Sequence, residues 1–279
     1  MKHAGVLSAD AARWRAMLAG GRRWALGGAL LGTLIGLIVW APAAWLARAV
    51  AAASNNQLLL SDARGSVWRG DAQLVLTGGS GSRDARALPG RLDWSMNWRG
   101  LALDISARHA CCLTQPLALS LRPGLTGWSL HVAPTKSPVL GHWPAAWLAG
   151  LGTPWNTIQL GGVLRLSARD LVVQRRAGQL TLSGEASLEL LDAHSRLSTL
   201  PDLGSYRLRL HPDERNTPTI TLSTLANSAL QLTGGGEWTA LGLRFRGVGR
   251  ADPAAQSQLE NLLNIIGRRD AASTVITIG

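Results

Sequence analysis

Charge is scarce in this sequence, and so is every aromatic except tryptophan. Of 279 residues 16% are charged, and one Phe and one Tyr stand against 12 Trp. The formal charge of +11 is not massed on any segment. Lys2, Arg13, Arg15, Arg22 and Arg23, set against Asp10, place +4 in residues 1–23, and the remaining +7 is spread thinly, nearly all as Arg. A groove that tracks phosphates needs basic residues gathered on one element or face, so nucleic acid is excluded as a partner. The only cysteines, Cys111 and Cys112, are adjacent and cannot staple distant parts of a fold. A bridge between neighbours is strained, which leaves free thiols and an unusual disulfide both open.

Chemistry is equally sparse. No glycine-rich nucleotide fingerprint follows a strand and opens a helix. No Gly-x-Ser-x-Gly elbow marks a hydrolase. The histidines at 3, 109, 131, 142, 194 and 211 form no His-x-x-x-His pair, and only His109 lies near the cysteines, too few ligands for a zinc site. Asp213-Glu214 sits in "HPDERNTP", whose composition reads as a loop rather than a paired-carboxylate site. The expectation is a non-enzyme with no catalytic residue, no metal, no cofactor and no small-molecule substrate.

Residues 24–47, "WALGGALLGTLIGLIVWAPAAWLA", carry no charge. About 20 mainly apolar residues suffice for a helix to span a bilayer. Trp24 lies at one edge of the run and Trp40 and Trp45 at the other, as interfacial tryptophans do. Five basic residues precede the run and Arg48 follows it, so the positive-inside rule puts the N-terminus in the cytoplasm. Residues 1–23 then form a cytoplasmic basic head, 24–47 an uncleaved transmembrane helix, 48–57 a linker, and 58–279 the domain beyond the membrane. Gly28, Gly32 and Gly36 make a small-residue face suited to helix packing in lipid.

Beyond the linker the hydrophobic period is two. In "RLDWSMNW" (91–98), Leu92, Trp94, Met96 and Trp98 point one way and Arg91, Asp93, Ser95 and Asn97 the other. The same alternation returns at Leu101/Leu103/Ile105, Leu117/Leu119/Leu121, Trp128/Leu130/Val132, Leu164/Leu166, Leu180/Leu182 and Leu188/Leu190. It continues at Tyr206/Leu208/Leu210, Ile220/Leu222, Leu230/Leu232 and Leu241/Leu243/Phe245. Gly, Pro, Asn and Asp clusters divide the runs. Two helices interrupt them: a short one in "HWPAAWLAGLG" (142–152), and "DPAAQSQLENLLNIIG" (252–267). In the second, Asp252 is the N-cap, Pro253 takes the first helical position, and Leu259, Leu262, Leu263 and Ile266 form one apolar stripe. "STVITIG" closes the chain as a strand. The similar stretches "LPGRLDW" (88–94), "LSGEASL" (182–188) and "LTGGGEW" (232–238) suggest related hairpin starts.

Consecutive strands without crossover helices pair antiparallel. The expected fold is therefore mainly β: a transmembrane helix, then a long curved antiparallel meander with one apolar and one polar face. That apolar face needs a cover: the sheet curling on itself, the C-terminal helix, a partner protein or lipid all qualify.

"RGSVWRG" (64–70) sets Trp68 between Gly65 and Gly70 where the first long strand opens. The glycines permit a turn or bulge on either side, which makes Trp68 a packing anchor or a partner contact. Gly-Ser-Val-Trp-x-Gly-x-Ala is followed in order by "LPGRLDWSMNWRGL", "GLGTPWNTIQLGGVLRLSARDL", "LPDLGSYRLRL", "LTGGGEWTALGLRFRGVGRADP" and "LENLLNIIGRRD". This series resembles protein N of the type II secretion system. The Cys111-Cys112 pair has no place in that pattern. The resemblance implies a single-pass inner-membrane protein with its bulk in the periplasm, an oxidising place that permits a Cys111–Cys112 bridge. Its role would be accessory to the export of folded proteins, through contacts with other inner-membrane components. Anchored periplasmic proteins of the AsmA-like type show the same one-sided sheets, so lipid handling on the apolar face is the alternative.

Overall fold

The computed structural model describes residues 24–278 apart from 226–227, 240–241 and 271–272; the basic head 1–23 lies outside the described residues. The chain divides into two units, Met1–Pro42 and Ala43–Gly279.

In the first unit residues 24–39 form helix α1, which ends in a turn at Trp40. Leu26, Leu30, Leu31, Leu34, Ile35 and Val39 are all exposed along it. The expected single helix over 24–47 does not form. Pro42 has no N–H to donate, and the residue before a proline is pushed out of the helical region. The described helix thus spans about 24 Å at 1.5 Å per residue. No helix among the described residues is long and apolar enough to cross a membrane.

The second unit opens with helix α2, Ala43–Ala53. Residues 48–53 of the expected linker therefore belong to a helix; Ala-rich composition favours helix as readily as tether. Sixteen strands follow: β1 (Leu58–Gly65), β2 (Arg69–Thr77), β3 (Ala85–Ala87), β4 (Leu92–Arg99), β5 (Ala102–His109), β6 (Leu117–Gly124), β7 (Gly127–Val132), β8 (Val139–Pro144), β9 (Leu160–Arg176), β10 (Gln179–Ser195), β11 (Gly204–Pro212), β12 (Pro218–Thr224), β13 (Leu230–Thr239), β14 (Gly242–Ala251), β15 (Arg268–Asp270) and β16 (Ser273–Ile278). They form one open antiparallel sheet, ordered β1-β2-β4-β5-β6-β7-β9-β10-β11-β12-β13-β14-β16-β15.

The path departs from a plain meander three times, the last where β16 rather than β15 pairs with β14. β3 pairs with β2 beside β4, and β8 pairs with β9 beside β7. Directly after β8 comes a 3₁₀ segment, Ala145–Leu151, packed on β3 and β9 and followed by the single turn α3 (Trp155–Ile158). The indole N–H of Trp147 donates to the Arg86 carbonyl (2.9 Å), and Asn156 donates to the Asp84 carboxylate (2.9 Å). The expected helix over 142–152 is thus replaced by strand up to Pro144 and 3₁₀ turns after it.

The repeated motifs part company here. Gly90 lies just before β4, while Gly184 sits inside β10, where the register to β9 shifts between Ser183 and Glu185. Leu180/Leu182 and Leu188/Leu190, read as separate runs, are one strand carrying a bulge. "LTGGGEW" lies wholly within β13. Only the first of the three stretches leads into a new strand, so they are not equivalent hairpin starts.

Two helices cover the two ends of the apolar face. Near β1, Ala43 of α2 packs with Ala72 and Trp94, flanked by Leu46, Leu60, Ala63 and Met96. Near the other end, helix α4 (Gln256–Ile266) places Leu259 and Leu262 against Ala193, Leu203, Tyr206 and Leu230, with Leu263 at the margin. The side chain of Ile266 lies outside the described residues. Asp252 caps the entry as expected, accepting the Ala254 N–H at 3.0 Å ahead of the 3₁₀ turn Pro253–Ala255. The Tyr206 hydroxyl lies 2.9 Å from the carbonyls of Leu203 and Leu230, and burial pushes its pKa up.

Candidate interaction surface

Trp68 occupies the tight connection between β1 and β2. Its carbonyl accepts the Met96 N–H at 2.7 Å, which ties the connection to β4. Trp94 of β4 turns its indole N–H to the Val67 carbonyl at 3.0 Å. Both glycines are required. Gly65 has φ +87, and a Cβ on Gly70 would stand 2.3 Å from the Arg64 carbonyl and 2.7 Å from the Trp94 ring. Trp68 itself is half-buried, its neighbour Arg69 exposed. Beside it, Arg91 bridges two carboxylates, Asp62 (2.8 Å) and Asp71. Hydrogen bonds from Arg91 and then Arg64 hold the Asp62 carboxyl below its ordinary range. The tryptophan loop is therefore a braced corner. Trp94→Phe, which removes the indole donor and leaves the Val67 carbonyl unpaired, should lower stability by about 1 kcal/mol with an unchanged fold, measured by denaturant titration.

A larger apolar feature lies between the two covering helices. Trp98, Leu103, Leu121, Leu130, Val173 and Leu182 stand side by side across β4, β5, β6, β7, β9 and β10. Leu182 is buried, but Leu103, Leu121, Leu130 and Val173 are only half-buried. At the tips of these strands the surface turns openly apolar: Trp98 is 57% exposed, Leu101 83% and Trp128 36%. Leu125, in the β6–β7 turn, is fully exposed. Grouped exposed apolar residues of this size mark interaction sites on folded domains.

On the opposite side an open groove of about 780 Å³ is lined by the polar Ser95, Asn97, Asp104, Ser106, Ser120 and Arg122, with the apolar Ile105, Leu119 and the turn residue Leu101 also in its wall. Further along, Arg165, Glu189 and Arg207 lie in register across β9, β10 and β11. Glu189 accepts bonds from both arginines, with Arg207 Nε at 2.8 Å. Burial alone would raise its pKa; the two guanidiniums outweigh that and hold it below the ordinary carboxylate value. The arrangement joins three strands and pairs no acid with a base or nucleophile.

A family model described as type II secretion system protein N matches residues 56–276. The chain belongs to the protein N family. No curated protein and no solved structure matches it. Family membership makes this chain a component of the type II secretion machinery, whose work is protein transport and whose members act alongside other secretion components. The match begins within the turn before β1 and ends in β16, so it takes in the whole sheet. Within this protein N chain the structure places Trp68 at one corner of the sheet and the cluster Trp98, Leu101, Leu125 and Trp128 at the strand tips. The alternation had put Trp94 and Trp98 on one face, and there they are. It did not signal that Trp94, at 5% exposure, lies under α2 while Trp98 lies beyond its reach.

Proposed function

We propose that this chain is an accessory, inner-membrane-anchored subunit that grips neighbouring secretion components through the open end of its apolar face. The observation that carries the reading is the uncovered row ending in Trp98, Leu101, Leu125 and Trp128, which lies between the two clusters packed under α2 and α4. Trp68, half-buried on its braced corner, is a second contact. The exposed apolar α1 and the tryptophans flanking it support membrane anchoring, with the basic head in the cytoplasm and the sheet in the periplasm. Apolar anchors of this kind supply binding free energy when a partner desolvates them.

The test is photocrosslinking in cells from Trp98 and Trp128, each replaced in turn by a photoreactive phenylalanine. The expected result is covalent capture of another subunit of the secretion machine, with control sites at Ser106 and Ser120 in the polar groove giving no band. Restoring secretion of a periplasm-trapped enzyme in a strain deleted for this gene should fail for the Trp98→Asp, Trp128→Asp double variant and succeed for the Ser120→Asp control. Crosslinks to phospholipid alone, with secretion intact, would replace this reading with lipid handling.

A further inference from the structure

His109 is 3% exposed, and neither ring nitrogen has a hydrogen-bond partner. Buried polar side chains almost always have one, so an imidazole buried with both nitrogens unpaired calls for an explanation. The explanation lies two residues on. Cys111 and Cys112 are bonded to each other with Cα atoms 3.7 Å apart, and the ligand-capable atoms of His109, Cys111 and Cys112 all lie within 4.8 Å of one another.

The backbone that gathers them does not depend on the disulfide. The His109 carbonyl accepts the N–H groups of Cys112 (3.2 Å) and Leu113 (3.1 Å), folding 109–113 into one tight turn at the end of β5. From the other side the His142 N–H donates to the Cys112 carbonyl at 2.8 Å, and Leu113 bridges to Gly141. A Cβ on Gly141 would stand 2.3 Å from that Cys112 carbonyl, so the approach of β8 to the turn requires glycine there. A bridge between sequence neighbours closes almost no loop and removes little freedom from the unfolded chain. Its opening therefore leaves the turn held by β5 and β8.

We infer that His109, Cys111 and Cys112 form a redox-gated site for a thiophilic d¹⁰ cation, Zn²⁺. In the oxidised chain both sulfurs are spent on each other. A dithiol reductant supplies two electrons and two protons: the S–S bond breaks, two thiols form on the protein, and the reductant becomes a disulfide. Zn²⁺ then displaces the two thiol protons and takes both thiolates and one imidazole nitrogen. Tetrahedral zinc with Zn–S near 2.3 Å and Zn–N near 2.0–2.1 Å needs ligand atoms about 3.5–4 Å apart, and the donor atoms of this cluster already lie within 4.8 Å of one another. Soft thiolate donors favour this cation over the hard ones. Cys111 is exposed while His109 and Cys112 are buried, which leaves the fourth position facing water.

The test uses the purified full chain, oxidised or reduced with dithiothreitol and desalted without oxygen, then exposed to zinc chloride and desalted again. Metal analysis is expected to find about one zinc per reduced chain and none on the oxidised chain. Cobalt in place of zinc should give thiolate-to-metal absorption in the near ultraviolet. Cys111→Ser, at the exposed position, should weaken zinc binding by roughly tenfold or more, as should His109→Ala. Zinc held equally by oxidised chain, or by Cys111→Ser as tightly as by the reduced parent, would overturn the site. So would a reduced chain that binds cobalt without the thiolate band.

Discussion

Replacing Leu259 and Leu262 together by alanine is expected to strip helix α4 from the sheet. Leu259 is 0% and Leu262 2% exposed, and both reach into the cluster of Ala193, Leu203, Tyr206 and Leu230. A buried Leu→Ala change costs about 2–5 kcal/mol, the lost transfer energy plus that of the cavity. The two leucines are one turn apart and share partners, so their costs will not simply add. Even at about 4–6 kcal/mol for the pair, the loss is comparable to the whole stability of an ordinary domain, roughly 5–15 kcal/mol. Denaturant titration should show a much lower midpoint, and hydrogen exchange should show β13 and β14 losing protection first. Ile265 on the same helix is 39% exposed, and its replacement by alanine should cost little. Equal losses at 259 and 265 would mean that the helix is not held by this stripe.

Much of this architecture is written in the alternation of side chains. A period of two gives the face of each residue, and the register confirms it: Leu166, Leu188, Leu208 and Leu222 meet across four strands. The apolar stripe of α4 and its Asp-Pro entry were equally plain, because caps and helical spacing are local. Depth was not. Whether an outward-pointing tryptophan is covered depends on which helix lies over it, and α2 was concealed at the tail of an apolar run that reads as one helix until Pro42 interrupts it. Bulges were hidden for a related reason. β9 and β10 shift register twice, once where Gly184 stands opposite Asp170 and once near Asp192, and the two aspartates adopt φ +50 and +51 without being glycine. Aspartate tolerates that conformation better than most residues, but an aspartate within a strand is also an ordinary polar-face residue, so its type alone does not mark a bulge. The cysteine pair was visible, while the buried imidazole beside it was not, since one histidine at the end of a strand carries no burial signal.

The arginine pair at Glu189 should control how the fold responds to acid. The Glu189 side chain is 7% exposed, those of Arg165 and Arg207 42% and 36%. Replacing both arginines by methionine leaves a buried carboxylate with no cation. Removing the partners of a buried charge typically costs about 3–5 kcal/mol, and the lower end applies because both guanidiniums reach water. The pH dependence should also change sign. In the parent, Glu189 has a folded pKa below its unfolded value, so its contribution is complete above the unfolded value and is lost as pH falls through the folded one. Without the arginines burial dominates, the folded pKa rises above the unfolded value, and acidification through that interval stabilises the variant relative to neutral pH. Adding Glu189→Gln to the double variant should recover most of the loss at neutral pH, because the uncompensated charge is gone. Denaturation midpoints from pH 4 to 8 read all three outcomes. Parallel pH slopes for parent and double variant would show that the carboxylate finds water on its own, and the three-strand clasp would then contribute little to holding β9, β10 and β11 in register.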